Sequence, residues 1–121
     1  ASDVYKRQVY NEAFSELDVD LVLSGHDHLY ARTYLMKGMK STGNASGLKK
    51  QGETLYLSGT SSTGSKFYEK ESGKKGYIAF YDGETEKTPL ISAITIQGKT
   101  LTIKTVRTTD MSVFDEITIR K

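Results

Sequence analysis

The chain has two histidines, His26 and His28, one residue apart in Gly25-His26-Asp27-His28. Imidazole nitrogen binds zinc, iron, manganese and similar ions well. Two imidazoles at i and i+2 on a loop reach one ion together, or flank two neighbouring ions. A glycine before them lets the backbone approach without a side chain in the way. The other reading is a polar loop carrying two surface imidazoles. Spacing does not decide between them, because His-x-His is short and frequent.

Two further stretches invite a chemical reading and fail it. The run Gly59 to Lys66, GTSSTGSK, follows an apolar segment as a phosphate-binding loop would. That motif ends Gly-Lys-Ser/Thr, so that lysine reaches the phosphates and the hydroxyl reaches magnesium. Here the order is Gly64-Ser65-Lys66, and Phe67-Tyr68-Glu69 opens no helix, so the run reads as a flexible turn. A nucleophile elbow, Gly-x-Ser-x-Gly, fails because Thr63 stands where the second glycine is needed. The chain has no cysteine, which excludes disulfides, thiolate metal sites and cysteine nucleophiles.

The elements around GHDH are legible. Val9, Tyr10, Ala13, Phe14 and Leu17 are three and four apart, which predicts a short amphipathic helix with one buried face. Asp18 to Asp20 breaks it, and Val19 to Leu23 reads as a buried strand. Helix, tight turn and apolar strand make half of an α/β unit. That strand stops at Ser24-Gly25, placing His26 to Arg32 on its exit loop, where α/β proteins tend to site chemistry. Lys37 to Gly52 reads as a long polar loop; the sequon Asn44-Ala45-Ser46 within it is a weak signal. From Thr54 the pattern turns to β. Thr54–Ser58 and Tyr77–Tyr81 are expected strands, and Ile91–Ile96 and Thr100–Val106 form a hairpin about Gln97-Gly98-Lys99. Leu101 and Ile103 face one way, Thr102 and Lys104 the other. Phe114–Ile119 closes an antiparallel meander.

The bulk numbers fit one domain. The chain has 121 residues, 36% hydrophobic and 26% charged, so a core is within reach and wholesale disorder is not expected. A net charge of +2 with scattered lysines carries no nucleic-acid-binding signature. No run approaches the roughly 20 apolar residues of a membrane helix, and no signal peptide is visible. Asp3 to Gln8, DVYKRQ, back-translates as GAT GTG TAT AAG AGA CAG, which looks like a transposon-end sequencing adapter. Residues 1–8 are therefore expected to be a non-native leader and are set aside, leaving 9–121 as the domain segment.

An apolar strand running into GHDH and then Leu29-Tyr30-Ala31-Arg32-Thr33 resembles the last metal-binding motif of the calcineurin-like metallophosphoesterases, in particular their bacterial, purple-acid-phosphatase-like branch. Gly52 to Glu69 is similar to the strand and glycine-rich loop that follow there, and Val113 to Lys121 to the closing strand. The resemblance implies an α+β fold, the C-terminal part of a β-sandwich flanked by helices, here mostly antiparallel β with one N-terminal helix. It implies that His26 and His28 are each a ligand of one of two metal ions, Fe, Zn, Mn or similar. Such ions, about 3.5–4 Å apart, bind a phosphate ester and generate the hydroxide that attacks it. Asp27 matches a variable middle position, with at most a supporting hydrogen bond to a ligand. Gly25 and Arg32 are candidates for lying near the substrate, although Arg32 is expected to be a solvated arginine. Family analogy points to a secreted, periplasmic or cell-surface protein.

The family also carries Asp-x-His, Gly-Asp with a further ligand, Gly-Asn-His and another histidine, all earlier in the chain. None occurs here. The expectation is a fragment whose remaining ligands lie in a missing N-terminal half, inactive by itself, with no confidently present catalytic residue. The competing class is a non-enzymatic β-rich binding module in which GHDH is a structural loop. A two-histidine metal-storage or sensing site is a third reading.

Overall fold

The structure is a computed structural model that describes residues 2–25, 30–59, 77–82 and 88–121. One helix, α1 (Ser2–Glu16), precedes ten strands: β1 (Leu21–Ser24), β2 (Tyr30–Thr33), β3 (Met36–Lys37), β4 (Lys40–Ser41), β5 (Gly47–Leu48), β6 (Leu55–Ser58), β7 (Ile78–Asp82), β8 (Leu90–Gln97), β9 (Thr100–Arg107) and β10 (Val113–Arg120). They form two four-stranded sheets, ordered β1-β6-β2-β7 and β5-β10-β9-β8, with β3-β4 as a separate hairpin. Among the described residues, no helix is long and apolar enough to cross a membrane.

Period-two alternation builds the core. Ile103 and Thr105 of β9 and Asp115, Ile117 and Ile119 of β10 are buried, while the intervening Lys104 and Glu116 are exposed and Thr118 is half-buried. From the other side, Tyr30, Leu55 and Leu57 meet them, with Leu35 and Leu90 completing one cluster. Each sheet thus buries one face against the other. Tyr30, Phe80 and Phe114 stack edge to face, with ring centroids 5.2–5.7 Å apart, a geometry the ring quadrupoles favour.

The meander β8-β9-β10 is as expected, and Gly98, the first residue of its two-residue turn, takes φ +58°. The first sheet corrects the meander reading, because it is mixed: β1 pairs parallel with β6, and β6 antiparallel with β2. The expected buried strand at Val19–Leu23 is Leu21–Ser24 and only half-buried, since β1 lies at a sheet edge among the described strands. The expected long loop contains three two-residue strands, too short for a hydrophobic period to show; β5 pairs parallel with β10.

Helix α1 begins at Ser2, well before the expected Val9, and its apolar face is not buried as expected. Val9, Tyr10 and Leu17 are exposed. Phe14, against Tyr56, and Ser15, whose hydroxyl donates to the Gly52 carbonyl at 2.6 Å, hold it instead. The helix ends at Glu16, and Asp18 just beyond it takes φ +55°, a conformation Asp tolerates better than most residues.

Asp18 Oδ1 accepts from Lys49 Nζ at 2.7 Å and from the Gly52 N–H at 2.8 Å. These bonds, that to Lys49 foremost, hold its carboxyl below the usual 3.8. The buried Lys49 ammonium also lies 3.0 Å from Asp20. A carboxyl lowered in the folded state stabilises above its unfolded value, and loses that contribution as pH falls through the folded value. Between pH 7 and pH 3, the urea midpoint of Asp18→Asn should therefore fall less than that of the parent. An equal fall would remove Asp18 from the acid limb.

Candidate functional site

Strands β1 and β6 run in parallel register, Ser24 opposite Ser58, and the Gly59 N–H donates to the Ser24 carbonyl at 3.0 Å. Both strands therefore finish at the same end of the sheet. Gly25 and Gly59, the last described residues there, follow these neighbouring strand ends directly. His26, Asp27 and His28 follow Gly25 directly but lie outside the described residues, as does the glycine-rich run from Thr60. Gly25 is exposed, has no positive φ, and a Cβ added there would meet nothing within 4 Å. Nothing among the described atoms demands glycine at that position.

Strand β2 re-enters at Tyr30 and is tied to the opposite sheet. Arg32 Nε donates to Asp115 Oδ2 at 2.8 Å, and Arg32 Nη2 to Oδ1 at 3.1 Å, a two-pronged ion pair. The Tyr30 hydroxyl donates to Asp115 Oδ2 at 2.8 Å and lies 3.2 Å from the Thr105 hydroxyl, which lies 2.7 Å from that of Ser92. The Arg32 guanidinium also lies over the Phe80 ring, 5.8 Å from its centroid. Burial raises the Tyr30 phenol well above its ordinary value of 10.0. It remains protonated, as its role as donor to a carboxylate requires.

The expectation of a solvated Arg32 is therefore corrected. The residue is 8% exposed, and its Nε and Nη2 are directed at Asp115 rather than at water. A pleat that turns Tyr30 inward turns Arg32 inward as well. Asp115, which sequence reasoning missed, was signalled by parity: it shares the inward register of Ile117 and Ile119. A register shift between Val113 and Asp115 lets the adjacent Phe114 and Asp115 both reach the interior.

Among the described residues, no three His, Cys, Asp or Glu side chains lie together so as to hold a metal ion. His26 and His28, the two imidazoles of the sequence, lie outside the described residues. Two imidazoles suit a borderline ion but fall short of the ligands a closed or catalytic site takes. A cavity of about 610 Å³ lies between α1 and the outer face of the first sheet, lined by Phe14, Val22, Met36, Tyr56 and Ile78 among others. The Tyr56 hydroxyl and Ser58 Oγ are buried there without hydrogen-bond partners among the described residues.

No family model matches the sequence, and no curated protein matches it. Among solved structures, the chain is similar to the purple acid phosphatase PPD1 from yellow lupin (Lupinus luteus) seeds, with a TM-score of 0.74 and 19% identity. The fold is that of the β-rich part of a phosphatase domain. The match covers 91% of this chain and 19% of the lupin chain, so it spans about a fifth of that protein. At this identity the likeness establishes a fold shared with part of that protein, and does not reach the bacterial branch. The α+β class, one N-terminal helix and mostly strands, stands as expected.

Proposed function

We propose that the chain is part of a metal-dependent phosphoesterase of the purple-acid-phosphatase-like bacterial branch, and that His26 and His28 each bind one ion of a two-metal centre. The observation that carries this reading is the position of GHDH. It starts where β1 ends, beside the end of parallel β6, in a fold shared with a purple acid phosphatase. Crevices outside the carboxyl ends of parallel strands are where such sheets hold ligands. When bound, the ions would polarise a phosphate ester and lower the pKa of a bound water. This chain contributes the two imidazoles and a rigid frame on either side of them. Asp27 would at most hydrogen-bond a ligand. The remaining ligands, the proton donor and the pocket that selects the substrate would come from residues outside this sequence. Metal identity stays open between Fe, Zn, Mn and similar ions, and export from the cytoplasm is part of the same analogy.

The binding-module reading has no observation of its own in the structure. Two results separate the readings. The pure chain should hydrolyse no 4-nitrophenyl phosphate above the buffer rate with Zn²⁺, Mn²⁺ or Fe³⁺ present. The reading frame upstream in the source DNA should encode Asp-x-His and Gly-Asn-His. Robust hydrolysis by the chain would overturn the claim that its site is incomplete. A start codon and signal peptide immediately before Val9 would overturn the enzyme reading altogether.

A further inference from the structure

Tyr30 and Arg32 share one face of β2, two positions apart, and both reach the same carboxylate on the opposite sheet. Asp115 Oδ2 accepts from the Tyr30 hydroxyl and from Arg32 Nε, and Oδ1 accepts from Arg32 Nη2. The Tyr30 ring is held edge to face against Phe80 and Phe114 besides. Strand β2 itself is four residues long, with two register pairs to β6, Ala31 with Ser58 and Arg32 with Leu57. Its pairing with β7 shifts between Arg32 and Thr33. So short and irregular a ladder leaves the placement of β2 against the second sheet to its side chains. A buried ion pair adds little stability over an apolar pair of similar size. What the forked, directed bonds add is a defined position, because an apolar contact tolerates sliding that a two-pronged pair does not.

We propose, on the reading of both histidines as metal ligands, that Asp115 is a positioning residue for the metal site. Through Tyr30 and Arg32 it fixes the point at which β2 begins, and with it the carboxyl-terminal end of the His26–His28 segment. Tyr30 stands two positions after His28, and covalent geometry keeps Cα atoms two positions apart within about 7 Å. The amino-terminal end of the segment is set by the ladder of β1 with β6, where Ser24 lies opposite Ser58. Both ends must be fixed if the imidazoles are to meet an ion, since any freedom left at either end is lost on binding and weakens it. Asp115 thus serves the site from 87 positions beyond His28, on a strand that carries no ligand of its own.

The test is a Zn²⁺ titration at pH 7.5, read by NMR on the ring signals of the two histidines, beside the urea midpoint of each variant. Arg32→Met/Asp115→Leu should keep a midpoint close to that of the parent and raise the Kd for Zn²⁺ about tenfold, the low end for partners behind a ligand. Tyr30→Phe keeps the ring and loses the donor; it should raise the Kd about threefold, and it gives the readout if the double variant does not fold. Ile119→Val, at the far end of β10, should lower the midpoint and leave the Kd unchanged. Variants of the network that bind Zn²⁺ like the parent would overturn the positioning role and leave the ligands standing. So would an Ile119→Val Kd raised as far as that of the double variant, because affinity would then follow stability alone. A parent whose histidine signals ignore Zn²⁺ would overturn the metal reading and the positioning role together.

Discussion

Asp115→Ala should lower the unfolding free energy by about 3–5 kcal/mol, read as a fall in the urea midpoint at unchanged slope. The carboxylate takes three hydrogen bonds from two residues of the opposite sheet, at 2.8, 2.8 and 3.1 Å. Removing it leaves a guanidinium buried between the sheets without its counter-ion, and a tyrosine hydroxyl that keeps the Thr105 hydroxyl beside it. Two effects compete at this site. Forming the pair required both ions to leave water, so its net contribution relative to an apolar pair is small. Breaking it strands one ion, and that term dominates the single substitution. The double variant Arg32→Met/Asp115→Leu should therefore recover most of the loss. A cost below about 1 kcal/mol for Asp115→Ala, the range of exposed ion pairs, would show that water reaches Arg32.

The same network marks the limit of what the sequence made legible. The β8-β9 hairpin and the β10 strand could be read because eight-residue strands give period two room to repeat. The two-residue strands β3, β4 and β5 have no period, and only tertiary pairing defines them. The helix was overread: Val9, Tyr10 and Leu17 fall at helical spacing but touch little, because α1 is anchored at Phe14 and Ser15. The Arg32–Asp115 pair joins positions 83 apart in sequence, and no local pattern connects them. Parity alone hinted at it, since a charged residue on an apolar register needs a buried partner. The likeness of the fold to a phosphatase domain was readable from GHDH and the strand before it. The His26 and His28 side chains themselves lie outside the described residues.

Metal binding by the isolated chain should be weak and should depend on both histidines. Protein sites with a full ligand set hold zinc with three or four side chains, and this chain offers two imidazoles separated by one residue. Loss of even a supporting hydrogen bond behind a ligand costs about 10–100-fold in affinity, so loss of a ligand should cost at least as much. Protonation competes with the ion for imidazole, and affinity should therefore fall as pH drops through the usual histidine range of about 6.5. The direct measurement is a Zn²⁺ titration of the chain by calorimetry at pH 7.5, beside His26→Ala and His28→Ala. The account predicts weak binding by the parent, lowered at least about tenfold by either alanine. Binding that survives both substitutions unchanged, or a parent that takes up no ion, would contradict the claim that GHDH is a pair of metal ligands.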